Sequence, residues 1–91
     1  MQFDWDEYKA ESNIRKHGIS FDEAVTVFAD PYLIFTADLQ HSDQEEREWA
    51  IGETDSGLIV VVVFTIRNEQ IRIISARSAT KREHQNYESG L

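Results

Sequence analysis

Arg67 and Arg77 each close a β-rich run, and Lys81 and Arg82 follow shortly after the second. Guanidinium and ammonium groups in such places can hold an anion such as phosphate. Arg77, Lys81 and Arg82 gather where a strand hands over to a helix, whose free N–H groups also favour anions. Arg67 lies beside a tight turn at Asn68-Glu69, at the opposite end of the same hairpin, so the two arginines are not direct neighbours. Arg72 alternates with Ile71 and Ile73, which predicts that it faces away from Ser75 and Arg77. All of these cations read equally as solvated or structurally paired side chains.

Three histidines extend the list. His17 follows Lys16 at the end of a predicted helix. An imidazole titrates near neutrality and can act as general acid or base, or it can simply cap the helix dipole. His41 stands with Asp43 and Glu45 in an acidic stretch, where the alternatives are a divalent-metal site and a solvated loop. His84 is within reach of the Arg77 junction or is a surface residue. Glu48 and Glu53 flank a strand on opposite faces, and either could pair with an arginine. Trp5 and Trp49 read as core or interface anchors. The glycines form no phosphate-binding fingerprint, and the chain has no nucleophile elbow and no zinc-ligand spacing.

The elements that must position these groups are legible from periodicity and punctuation. Asp6 to Lys16 is rich in helix formers, with Asp4 or Asp6 as N-cap, a thin apolar stripe of Trp5, Tyr8, Ala10 and Ile14, and Gly18 as left-handed C-cap. Ser20-Phe21-Asp22-Glu23 reads as a capping box opening a second helix, whose Phe21, Ala24, Val25 and Phe28 should face the core. Asp30-Pro31 ends it. Strands are expected at Tyr32 to Asp38, Arg47 to Thr54, Leu58 to Ile66 and Gln70 to Arg77. A polar loop from Gln40 to Glu46 and turns at Asp55-Ser56-Gly57 and Asn68-Glu69 separate them. The third strand is apolar on both faces and belongs at the sheet centre. Thr80-Lys81-Arg82-Glu83 is a further capping box, opening a final helix to about Tyr87. The reading is an α+β fold, ααββββα: two N-terminal helices, a four-stranded mostly antiparallel sheet and a C-terminal helix.

With 91 residues there is room for one domain, spanning 1–91, and not for two. The absence of cysteine excludes disulfides and thiolate–zinc sites and fits a reducing compartment. The N-terminus carries Asp4, Asp6 and Glu7 and is not expected to be a signal peptide. The longest apolar run, Leu58 to Phe64, is far shorter than the roughly 20 residues of a membrane span. A cytoplasmic protein is expected. The formal charge of −8 opposes long-range attraction to polyanions, but it is unevenly distributed. Residues 1–55 hold four basic and fourteen acidic side chains, whereas residues 56–91 hold five basic and three acidic. Any surface facing a polyanion should therefore come mainly from the C-terminal part.

These residues also resemble the BrnT family of type II toxin–antitoxin systems, from about Phe3 to Tyr87. The resemblance rests on Trp5-Asp6, Lys9, Asn13, Lys16-His17-Gly18, Phe21, Glu23-Ala24 and Phe28. It continues through His41-Ser42, Glu46-Arg47 and Ile51-Gly52 to Arg72-Ile73-Ile74-Ser75-Ala76-Arg77, Ala79 and Lys81-Arg82-Glu83. It implies a fold like that of the RelE ribonuclease toxins and metal-independent endonucleolytic cleavage of RNA, with no cofactor. It also implies a homodimer of toxins, or a 2:2 complex, bound through a BrnA-like ribbon-helix-helix antitoxin that carries operator DNA. Carried onto this chain, Arg67 and Arg77 are expected to stabilise the phosphate, His17 with Lys16 to transfer protons or position the substrate, and Lys16, Lys81 and Arg82 to bind RNA. Two other readings remain: a non-enzymatic interaction module or corepressor, motivated by the acidic N-terminal half, and a metal-dependent hydrolase built on His41, Asp43 and Glu45.

Overall fold

The computed structural model describes residues 2–37 and 47–90. Asp6 is the residue that caps the first helix, α1 (Glu7–His17), its carboxylate accepting from the N–H groups of Tyr8 and Lys9. Gly18, at φ 73°, terminates it in the left-handed conformation. The expected apolar stripe is not what α1 buries. Tyr8 and Ile14 are 75 % and 49 % exposed, and the buried residues are Ala10 and Asn13. The helix lies along the margin of the sheet, so a small residue and an amide suffice at its contact face.

Ser20 caps α2 (Phe21–Ala24) through the Glu23 N–H, but the expected reciprocal half of that box is absent. The Glu23 carboxylate instead accepts from the hydroxyls of Thr54 and Ser56, tying α2 to the turn after β3 (Glu48–Glu53). Two hydroxyl donors in the tertiary structure outcompete one local amide. Beyond Ala24 the chain tightens into a 3₁₀ helix, Val25–Ala29. Winding at three residues per turn puts Val27 on the same side as Ala24, and both are fully buried, while Phe21 is also buried and Val25 and Phe28 pack on the core margin.

The sheet has five strands in the order β1-β5-β4-β3-β2, one more than the sequence predicts. The addition is β1 (Phe3–Asp4), which pairs parallel with β5 (Gln70–Ser78). Two residues carry no detectable alternation, so only the distant partner strand reveals it. The other pairings, β2 (Ile34–Ala37) with β3, β3 with β4 (Ile59–Arg67) and β4 with β5, are antiparallel. β4 occupies the centre, as its two-sided apolar pattern requires. Asn68 and Glu69, at φ 54° and 65°, close the last hairpin in a two-residue turn.

One face of the sheet, through Ala50, Val60, Val62, Phe64, Ile71, Ile73 and Ala76, joins Phe21, Ala24 and Val27 in the main core. Gly52 belongs to the same layer because nothing larger fits. A Cβ there would lie 2.7 Å from Leu33 Cδ1 and 3.1 Å from Val27 Cβ. Gly52→Ala is expected to cost about 1–3 kcal/mol by overpacking, read as a lower urea midpoint at constant m value. On the other face, Ile51 and Val61 are buried outside this cluster, where α3 (Lys81–Ser89) lies against β3.

Candidate functional site

β5 carries a bulge that decides which side chains meet. Val63 pairs with Ser75 and Phe64 with Ile73, leaving Ile74 unmatched. The extra residue reverses the alternation, so Ile71, Ile73 and Ala76 all point to the main core. Arg72, Ser75 and Arg77 consequently share the opposite face, and the expectation that Arg72 points away from Arg77 is corrected. Arg67 is on that face too, by its alternation with Thr65, Val63 and Val61 along β4.

Three rows therefore cross this second face. Arg77, Val61 and Ile51 form the first, beside α3; Ser75, Val63 and Trp49 form the second; Asp4, Arg72 and Thr65 form the third. Arg47, immediately before β3, extends the third row. Arg67 lies beyond it at the hairpin turn. Since Arg77 is in register with Val61, six residues separate the two arginines along β4, or about 20 Å. They bracket one surface but cannot clamp one phosphate together. Arg72 donates to Asp4 Oδ2 at 3.2 Å. Among the described residues, Arg47 Nε and Trp49 Nε1 on this face are shielded from solvent and have no hydrogen-bond partner.

Arg77 is held from three sides. Its Nη1 and Nη2 donate to Glu83 Oε1 and Oε2 at 2.7 and 2.9 Å, and Nη1 also reaches the Ser78 carbonyl at 3.2 Å. The guanidinium lies over the Trp49 ring, 5.4 Å from its centroid. Glu83 takes the end-on fork of the guanidinium. The Nε edge makes no hydrogen bond among the described residues, and the side chain is 32 % exposed, so a second fork remains for an anion. Glu83 simultaneously accepts from the Thr80 N–H, while Thr80 Oγ1 accepts from the Glu83 N–H, completing the capping box read from sequence. Arg77 is thus tied to the first turn of α3.

The Arg77 hydrogen bonds hold the Glu83 carboxyl down to about 2, from an ordinary 4.5, and raise the guanidinium in return. A carboxyl depressed on folding stabilises the native state above its unfolded pKa and loses that contribution as pH falls towards the folded one. Stability is therefore expected to fall between about pH 4.5 and pH 2, and Glu83→Gln should flatten that limb in urea melts taken across the range.

The other end of α3 has a comparable anchor that sequence reasoning missed. Tyr87 Oη donates to Asp30 Oδ2 at 2.5 Å, and Asp30 also accepts from the N–H groups of Glu53 and Tyr32 at 2.8 and 2.9 Å. Burial and the adjoining Asp30 push the phenol up to about 12. Burial opposes ionisation of Asp30, but its three donors outweigh it and the carboxyl is lowered. The sole sequence signal was Asp-Pro at a helix end, which says nothing about a residue 57 positions away.

Lys16 and His17 lie apart from α3, at the C-terminal end of α1. Both are exposed and line a cleft against Ile74 and Ser75 of β5. Ser75 precedes Arg77 by two residues, so this cleft opens about 7 Å along the strand from Arg77. Lys81 and Arg82 are exposed on the first turn of α3. His84 turns to Glu88, at 3.7 Å, instead of Arg77. The His41, Asp43 and Glu45 reading lies outside the described residues. Among those described, no group of three His, Cys, Asp or Glu side chains could hold a metal ion.

A family model described as the ribonuclease toxin, BrnT, of type II toxin–antitoxin systems matches residues 5–83. The chain belongs to this family. It is a BrnT-family ribonuclease toxin, and toxins of this class act opposite an antitoxin partner. Its fold is similar to the 1.1 Å crystal structure of the ribonuclease toxin BrnT from Brucella abortus. The TM-score is 0.64 at 31 % sequence identity, covering 89 % of this chain and 99 % of that one. Comparison with curated proteins found no match. Among the described residues no helix is long and apolar enough to cross a membrane.

Proposed function

We propose that RNA is bound and cut on the arginine-bearing face of the sheet, without a metal, where Arg77 stabilises the scissile phosphate. What carries this reading is the convergence of Arg67, Arg72 and Arg77 on one face in a chain whose net charge is −8. In the proposed reaction a ribose 2′-oxygen attacks the adjacent phosphorus as it loses its proton. The phosphorane charge is met by the free edge of Arg77, and the bond to the 5′-oxygen breaks as that oxygen is protonated. His17 stands beside Ser75 and is the proposed proton-transfer group. Arg67, about 20 Å away along β4, is assigned to a different phosphate of the same strand. Lys16 supports binding at the α1 margin, and Lys81 and Arg82 support it beside α3.

The partner is proposed to be a BrnA-like ribbon-helix-helix antitoxin in a 2:2 complex that carries operator DNA, with the pair residing in the cytoplasm. The acidic N-terminal half suits a basic partner by charge complementarity. The deciding experiment incubates purified, antitoxin-free protein with RNA in EDTA. Products ending in a 2′,3′-cyclic phosphate and a 5′-hydroxyl are expected, and RNA left intact with and without chelator overturns the cutting site.

A further inference from the structure

α1 buries only Ala10 and Asn13, and beside that contact Lys9, Ser12, Asn13 and Lys16 follow one another at helical spacing along the rim facing β5. With His17, Ile74 and Ser75 they line a cleft of about 160 Å³. Only Asn13 has a structural task there. Its amide spans the backbone of Ala76 and the Ile19 carbonyl, which fixes the cleft floor. Ile74, the bulged residue of β5, and the neighbouring Ser75 form the opposite wall.

The electrostatics of this cleft are the reverse of the chain's. No acidic residue lines it, although the chain carries seventeen. Among the described residues, neither Lys9 nor Lys16 forms an ion pair, whereas Arg72 and Arg77 each face a carboxylate. Lys9 and Lys16 are two helical turns apart, about 10 Å along the axis, and flexible ammonium groups on such a spacing can close on one small anion between them. The Ser12 hydroxyl adds a neutral donor.

We propose that the α1–β5 cleft is a phosphate subsite, holding a backbone phosphate of the RNA strand through Lys9 and Lys16. It rests on the ribonuclease reading and deepens it, because it gives the strand an exit from the arginine-bearing face over the edge of β5. Being a reader of phosphate only, the subsite does not distinguish ribose from deoxyribose. It therefore acts on an uncleavable DNA strand as it does on RNA.

The test uses the full chain and a fluorescent all-deoxy oligonucleotide, comparing wild type with Lys9→Gln, Lys16→Gln and the double variant. Both lysines are exposed, so thermal melts should be unchanged. The double variant is expected to raise Kd roughly tenfold at moderate salt, and its slope of log K against log salt should be shallower by about 0.7 for each phosphate no longer neutralised. Inorganic phosphate should shift the amide signals of Lys16, His17 and Ser75 in wild type and not in the double variant. Unchanged Kd and salt slope overturn the subsite even if free phosphate binds, for that would be adventitious. Equally, weakened antitoxin binding with undiminished oligonucleotide binding overturns it in favour of a protein contact. Wild-type protein that leaves RNA intact fails the cutting site, an outcome the DNA titration does not share.

Discussion

Arg77→Ala is expected to lower RNA cleavage roughly 10²–10³-fold, the scale on which losing one preorganised donor to a transition-state charge acts. Pulsed expression of this variant should no longer arrest growth or deplete bulk RNA. The same change leaves the Glu83 carboxylate, 17 % exposed, without its bidentate partner, so a loss of about 1–3 kcal/mol of stability should accompany it. Two companions separate these effects. Arg77→Lys keeps a positive charge but loses the fork, and should remain well below wild type in kcat. Glu83→Gln keeps a hydrogen-bonding partner for Arg77 but removes the ion pair, so it should lower stability more than it lowers cleavage. Single-turnover rates beside urea midpoints make the comparison. Arg77→Ala cleaving at the wild-type rate would remove this residue from the chemistry and leave it a strut for α3.

Asn13→Ala is expected to be the most damaging of these substitutions to the fold, by about 3–5 kcal/mol, a large share of what a small domain possesses. Asn13 is 5 % exposed and makes three hydrogen bonds. Its Nδ2 donates to the carbonyls of Ile19 and Ala76 at 2.9 and 2.8 Å, and its Oδ1 accepts from the Ala76 N–H at 3.1 Å. β1 pairs with β5 only at Ile71 and Arg72, so farther along that edge the side chain of Asn13 does the work of a neighbouring strand. Alanine strands two carbonyls and one N–H in a place water reaches poorly. Asn13→Asp retains the acceptor but sets a carboxylate against the same two carbonyls, and should fare no better. Urea denaturation at constant m value reads both; a midpoint near wild type for Asn13→Ala would show that the edge finds other partners.

The distribution of charge bears on both function and partner. One face of the sheet gathers arginines from the last hairpin, while carboxylates dominate the N-terminal half. Debye screening limits the repulsion between those carboxylates and a bound polyanion to about 8–10 Å at physiological salt, so a basic face on an acidic body can hold phosphates locally without attracting polyanions from afar.

Local chemistry is what the sequence alone determined. Caps at Asp6, Ser20 and Thr80, the left-handed Gly18, the Asn68-Glu69 turn and the two-sided apolar run of β4 each act within a few residues, so their physics is complete in a short window. The family resemblance was legible for the same reason, as spaced motifs along the chain. The tertiary structure alone decided whatever depends on distant partners. β1 exists because β5 accepts it, Glu23 turns from its own N-cap because Thr54 and Ser56 offer two hydroxyls, and Asp30 meets Tyr87 across the end of the sheet. The bulge at Ile74 matters most for the site. One unmatched residue inverts every side chain after it, and no alternation pattern reveals an inversion that only the register against β4 creates. That inversion brings Arg72 and Arg77 onto one face.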